Sequence, residues 1–178
     1  MAATVGDDKA LAIYEQLLQI TQQVCLGVDA KRYVYYSNTI EQNDEWSSDF
    51  FSKKIQYQGV LGEKMYEAFR EICTLHQKVV IIGSDCAALT SDIIQAAFDA
   101  LDSHDVSIGP ALDGGYYLLG LRAAHQSLFE DIAWSTASVL EATLQKAKSL
   151  QLSVYQLPTL SDIDNEADWN TFQSEKNR

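Results

Sequence analysis

Four wholly apolar residues, Val79-Val80-Ile81-Ile82, run without interruption into Gly83-Ser84-Asp85. A strand with no polar side must be covered on both faces, the situation of a parallel sheet flanked by helices. The rest of the chain supplies such helices. Apolar residues recur at helical spacing through Leu11, Tyr14, Leu17, Leu18, Thr21 and Cys25, behind Asp7 and Asp8 at a helix start, predicting a helix from Asp7 to about Val28. The spacing returns at Leu61, Met65, Ala68, Phe69, Ile72 and Cys73 after a Gly59/Gly62 turn. Thr90 as N-cap, Asp92 in the first turn and Leu89 packing on Ile94 predict a helix reaching Asp102. Strands are expected at Lys31 to Ser37, Asp105 to Gly109, Tyr116 to Leu121 and Leu152 to Leu157. A helix is expected from Ser135 to Leu150 and a short one after Asp164, while the polar stretch from Asn38 to Gln58 reads as a loop. Strand and helix alternate, so the class is α/β.

No repeat divides the 178 residues, and Pro110 and Pro158 are the only prolines, so residues 1-178 read as a single domain. At 47% apolar residues the chain has the material for a core and is not a disordered one. No apolar run approaches the roughly 20 residues of a membrane helix. The N-terminus lacks the basic and apolar regions of a secretion signal. Cys25, Cys73 and Cys86 form an odd, widely spaced set that suits reduced thiols, so the expected location is cytoplasmic, with no membrane partner. Thirteen Lys+Arg against 25 Asp+Glu give a net charge of −12, which repels a nucleic-acid backbone, so no nucleic-acid partner is expected. By the same logic a phosphate ligand arrives with a cation.

In open α/β sheets ligands bind beyond the carboxyl ends of the strands. The residues at those positions are acids and glycines: Asp85 after Val79 to Gly83, Asp113 after Val106 to Pro110, and Asp162 and Asp164 after Val154 to Leu160. Two like charges about 4 Å apart repel by about 4 kcal/mol at an effective dielectric near 20, and a divalent cation relieves that repulsion. An oxygen-only donor set favours Mg²⁺ or Mn²⁺ over Zn²⁺. Each acid also has a plainer reading. Asp85 suits a turn before the Thr90 helix, Asp113-Gly114-Gly115 is a hairpin signal, and Asp164 or Asn165 suits a helix cap. Asp162-Ile163-Asp164 has the DxD form of metal-dependent sugar transferases. It also resembles the start of haloacid-dehalogenase phosphatases, a reading set aside because their nucleophilic Asp lies on the first strand.

Trp134 is a candidate for stacking on substrate, and equally a packing residue ahead of Ser135 as an N-cap. Cys73 and His76 lie one helical turn apart without further zinc ligands, and Cys86 lacks a neighbouring base to activate it. Walker A, GxGxxG, HExxH and GxSxG patterns are absent, which removes the usual support for nucleoside triphosphatase, dehydrogenase and hydrolase readings.

Taken in order, Gly59-Val60-Leu61-Gly62-Glu63-Lys64-Met65, Ile82-Gly83-Ser84-Asp85-Cys86, Gly109-Pro110-Ala111-Leu112-Asp113-Gly114-Gly115-Tyr116-Tyr117, Trp134-Ser135-Thr136 and Asp162-Ile163-Asp164 resemble the bacterial radical-SAM/selenodomain-associated transferase 1 family. That family belongs to the nucleotide-diphospho-sugar transferase superfamily and is related to 2-phospho-lactate guanylyltransferase. The resemblance implies a glycosyltransferase type-A fold: a Rossmann-like α/β/α sandwich with a mostly parallel sheet. It implies transfer of a glycosyl or nucleotidyl group from a nucleotide or nucleotide-sugar donor to a small-molecule acceptor, with Mg²⁺ or Mn²⁺. Asp85, Asp162 and Asp164 are then the expected metal ligands and Asp85 and Asp113 the catalytic pair. Gly59, Gly62, Lys64, Gly114, Gly115, Trp134, Ser135 and Thr136 are the expected substrate-binding residues. Two departures stand out. Ala87 occupies a usual proline, and the first strand with its Lys-Thr-Arg-Leu loop would precede Ala2, so the first strand is expected to be missing. An alternative follows from that second departure: a non-catalytic nucleotide-binding or interaction domain whose unpaired sheet edges favour a homodimer.

Overall fold

In the computed structural model, which describes residues 7–163 and 165–176, the expected apolar run is a strand and the sheet is organised by what pairs with it. In chain order the elements are α1 (Asp7–Leu26), β1 (Arg32–Tyr36), β2 (Phe51–Ile55), α2 (Leu61–Ile72), β3 (Val79–Ile82) and α3 (Ser91–Ala100). There follow β4 (Val106–Pro110), β5 (Tyr116–Leu121), a 3-10 turn (Gln126–Leu128), α4 (Val139–Ser149), β6 (Val154–Gln156) and α5 (Glu166–Lys176). β1 and β2 pair in parallel as a two-stranded sheet, and the other four strands form a sheet in the order β3-β5-β4-β6. β4 and β6 are parallel, while β5 runs antiparallel between β3 and β4. Three of the four strands therefore share one direction, and their carboxyl ends lie on one edge. The exception, β5, is reversed by the Asp113-Gly114-Gly115 turn, so the hairpin reading of that signal holds.

Helices cover both faces. Val106, Ile108, Leu119 and Leu121 bury against Phe69 and Ile72 of α2 and Ala147 of α4. Tyr117 and Leu118 meet Ile94 and Ala97 of α3, together with Val28. Ile13 and Leu17 of α1 share a third cluster with Trp169 of α5, Ala87 and Ile163. Each such large side chain, once buried, contributes roughly 1.5–3 kcal/mol, and together they hold a helix–sheet–helix sandwich. Thr90 caps α3 as expected, its side chain accepting the Ile93 amide at 3.3 Å. Arg32 closes α1 by donating to the carbonyls of Cys25 (2.6 Å) and Leu26 (3.2 Å), a favourable place for a cation at a helix carboxyl end.

The structure corrects three sequence expectations. The four-stranded sheet is mixed rather than mostly parallel, because β5 pairs antiparallel with both β3 and β4. The stretch from Asn38 to Gln58 contains a strand, β2, hidden by its central Lys53-Lys54. Tertiary contacts override that composition. Lys53 Nζ reaches Asp44 at 2.6 Å and the Glu41 carbonyl at 2.6 Å, and Lys54 Nζ reaches Glu71 at 2.6 Å, with Lys54 also over the Tyr33 ring. Helix α4 starts at Val139 rather than Ser135, because Ser135 has a φ of 62°, outside helical space. β3 is half-buried along most of its length, since its edge away from β5 has no partner strand among the described residues.

Two predictions follow from the packing. Ser107 is fully buried opposite Gly120, and its hydroxyl has no hydrogen-bond partner among the described residues. Ser107→Ala should therefore raise unfolding free energy by about 1 kcal/mol, read from urea midpoints at unchanged slope. Carboxylates in this layer have lowered pKa values. For Glu71 the Lys54 hydrogen bond dominates, for Asp105 the Ser153 side chain does, and for Asp44 bonds from Lys53 and Tyr36 outweigh a burial that pushes upward. Groups titrating lower when folded add stability above their unfolded values and lose it as pH falls through the folded ones. Urea midpoints should thus hold between pH 7 and about pH 5 and drop steeply below about pH 4.

Candidate functional site

The shared carboxyl edge of β3, β4 and β6 carries the acids. Asp85 lies three residues past Ile82, its carboxylate folded back over Gly83, where a Cβ would come within 2.5 Å of Asp85 Oδ1. A strap from Pro158 to Ile163 crosses this edge. Leu160 bridges Ala111 in parallel register, the Leu160 amide donates to the Pro110 carbonyl (3.0 Å) and the Leu112 amide to the Leu160 carbonyl (3.0 Å). The strap ends against the β3 loop, where the Ile163 amide donates to the Asp85 carbonyl at 2.9 Å. Tyr117 Oη seats it further by donating to the Pro158 carbonyl at 2.8 Å. Asp162, half-buried, and the exposed Asp85 are thereby brought to one place, while Asp164 lies outside the described residues.

Cys86 registers both charges. Burial pushes its thiol up to about 12, with Asp162 and then Asp85 adding to the rise. Tyr117 is likewise raised to about 12, by burial first and then by Cys86 and Asp162. A thiol held this high stays protonated at neutral pH, so Cys86 is no nucleophile. Its Sγ instead donates to the Ser161 carbonyl at 3.7 Å, which fastens the strap.

Asp113 is exposed in the β4–β5 turn, and its Oδ1 accepts the Gly115 amide at 2.8 Å. Gly114 is required here on two counts: its φ is 91°, and a Cβ would lie 2.2 Å from the Ala137 carbonyl oxygen. The Gly114 carbonyl accepts the Leu140 amide at 2.9 Å, so the turn docks on the segment carrying Trp134, Ser135 and Thr136. In that segment Ser138, not Ser135, holds the N-cap position, and Thr136 Oγ1 donates to the Ala133 carbonyl at 2.7 Å. Gly62 joins the same group, since a Cβ there would meet Trp134 Nε1 at 2.5 Å and the Phe129 carbonyl at 2.8 Å. Gly59 precedes the α2 start, where Glu63 accepts the Val60 amide at 3.1 Å, and Lys64 is half-buried in the first turn of α2. Helix α2 returns to the start of β3, so its N-terminus, with Gly59, Gly62 and Lys64, lies on the carboxyl side of the sheet.

Two groupings result: Asp85 with Asp162, and Gly62 and Gly114 with the Trp134–Ala137 segment. Among the described residues no three His, Cys, Asp or Glu side chains gather as a metal-binding cluster. The oxygen-only pair Asp85 and Asp162 nonetheless suits Mg²⁺, a hard ion commonly held by one or two carboxylates together with substrate phosphates. The sequence reading missed a cleft of about 430 Å³ beside this edge, lined by Val60, Gly62, Glu63, Tyr66, Phe129 and Trp134 among others. No local motif marks it, because the segment from Gln126 to Ile132 that forms its far wall is placed by tertiary packing of Leu128 and Phe129.

Two tests follow. Gly114→Ala should cost more than about 2 kcal/mol of stability, from both strain and collision. In the native protein Cys25, raised to about 11 by burial, should label with iodoacetamide at pH 8 about a hundredfold more slowly than in urea, and Cys73 and Cys86, also raised by burial, should be slowed as well.

Comparison with known proteins bears on the family and the fold. The family described as "Uncharacterized protein conserved in bacteria (DUF2064)" matches residues 20–136, a span that includes Asp85, Asp113 and Trp134 to Thr136 and stops short of Asp162. A solved structure from Desulfovibrio desulfuricans G20, described as a "putative nucleotide-diphospho-sugar transferase", superposes with a TM-score of 0.83 at 30% identity. The match covers 92% of this chain and 74% of that one, and the α/β fold is the same. No curated protein matches the chain. Among the described residues no helix is long and apolar enough to cross a membrane.

Proposed function

This chain belongs to the DUF2064 family, and on that premise we propose that it is a transferase acting on a nucleotide-activated donor, moving a glycosyl or nucleotidyl group to a small-molecule acceptor. The observation that carries the reading is the meeting of Asp85 and Asp162 at the carboxyl edge, tied by the Ile163 amide to the Asp85 carbonyl at 2.9 Å. The likeness to the Desulfovibrio protein supports the transferase class and a nucleotide-sugar donor. The ordered motifs support placing the chain in the radical-SAM/selenodomain-associated transferase 1 branch. Its three free cysteines support a cytoplasmic location.

In this reading Asp85 and Asp162, with Asp164, would hold Mg²⁺ or Mn²⁺, which would supply positive charge against the donor's diphosphate. The N-termini of α2, α3 and α4 open on the same edge and direct amide dipoles at that anion. Asp113 accepts the acceptor's proton with the carboxylate oxygen not engaged by Gly115. Gly114 and Gly115 keep the turn low beside the donor, and Trp134, Ser135 and Thr136 border the acceptor, with Gly59, Gly62 and Lys64 across from them.

A second reading, a non-catalytic nucleotide-binding or interaction domain, is favoured by one observation. β1 and β3 each have an edge without a partner strand among the described residues, and such edges recruit a second copy of the chain.

Titration calorimetry with nucleoside triphosphates and nucleotide sugars, with and without Mn²⁺, separates the two. Metal-dependent binding should appear, and Asp85→Asn and Asp162→Asn should each weaken it by about tenfold or more, close to 1.4 kcal/mol. Binding that ignores both the metal and these substitutions, in a protein that sediments as a stable dimer, would replace the transferase with the interaction domain.

A further inference from the structure

We propose that the cleft between the start of α2 and residues 126–134 binds a small organic cation, a molecule bearing an ammonium or guanidinium group. At about 430 Å³ the cleft is of a size that holds a small ligand. Its walls are Tyr66, Phe129 and Trp134, and its polar groups include the carboxylates of Glu63, Glu130 and Asp131.

No Lys, Arg or His lines it. Elsewhere in the chain Asp44, Glu67, Glu71 and Asp102 each have a basic side chain in contact, whereas none of the three cleft acids forms an ion pair among the described residues. Two of them have neutral partners: Glu63 accepts the Val60 amide and Glu130 accepts Gln126 Nε2 at 2.8 Å. Negative charge beside aromatic walls in a concave site concentrates field on whatever enters, and aromatic rings at the walls add attraction for a cation that reaches them. An anion is repelled by the same three groups, and a neutral ligand gains hydrogen bonds from them but not the charge attraction that a cation adds. The pairing of aromatic faces with unneutralised carboxylates therefore selects a cation.

The walls are built for close approach. The α2 backbone at Gly62 comes against Trp134 and the Phe129 carbonyl too closely for any side chain. Trp134 continues into Ala137, which rests on Gly114, so the cleft opens beside the edge that carries Asp113. Identifying the cation with the acceptor rests on the transferase reading; the binding itself does not.

The probe is n-butylguanidinium, compared with its neutral isostere n-butylurea and with butyrate, followed by calorimetry and by the Trp134 indole signal. Butylguanidinium should bind about tenfold tighter than butylurea, butyrate should not bind, and added salt should weaken the binding. The double variant Glu130→Gln/Asp131→Asn should abolish that preference. Both positions are exposed, and asparagine tolerates the φ of 52° at residue 131, so the fold should persist and thermal melts verify it. Asp85→Asn should leave cation binding unchanged. If nucleotide binding fails while these results hold, the transferase reading falls and the cation site stands. Equal binding of butylurea, an unaffected double variant, or no binding of butylguanidinium at all would overturn the proposal.

Discussion

The antiparallel insertion of β5 between β3 and β4 sets everything at the carboxyl edge. A strand occupies about 4.8 Å of sheet, so the ends of β3 and β4 stand roughly 9.6 Å apart, with the entry of β5 between them. That gap is too wide for backbone pairing across it, and the chain fills it from elsewhere: the strap after β6 crosses from Ala111 to the Asp85 carbonyl. The reversal depends in turn on one residue. Without the positive φ at Gly114, the three-residue turn between Ala111 and Gly115 would not close, and Ala137 would have no surface to rest on.

Much of this was legible in the residues themselves. An unbroken Val79–Ile82 run has few structural uses, and Asp-Gly-Gly between apolar segments has one dominant one, so the sheet, its covering helices and the position of Asp85 and Asp113 on an edge followed from pattern. What escaped was decided by distant partners. Lys53 and Lys54 argue against a strand until Asp44 and Glu71 are known to sit beside them. Ser135 has the chemistry of an N-cap, and only the docking of Gly114 on Ala137 shows that the chain turns there into left-handed space instead of starting a helix.

The site divides in the same way. The meeting of Asp85 and Asp162 is separated by most of a hundred residues, and sequence offered only the rule that ligands gather at strand ends. Because β3 and β6 share a direction, that rule puts both acids at the same edge. It offered nothing for Glu130 and Asp131, which follow a 3-10 turn rather than a strand. Asp113 shows that the plain and functional readings of one residue are compatible: one carboxylate oxygen closes the turn, and the geometry of that turn presents the side chain to solvent on the edge.

Opposing fields meet at this edge. Helices α2, α3 and α4 all begin there, each N-terminus carrying roughly half a positive charge, while the surrounding side chains are acids. Amide dipoles are fixed by the backbone and fall off within a turn, so they act on a ligand seated directly on a helix end. Carboxylates act farther, and in a chain with a net charge of −12 they govern approach. On the proposed reading an anionic group would have short-range attraction behind a long-range barrier, which an accompanying cation would lower. A cationic group meets no barrier and is drawn toward the aromatic cleft. If both proposals hold, one acidic surface would in this way keep two ligands of opposite charge in adjacent places, each admitted on a different condition.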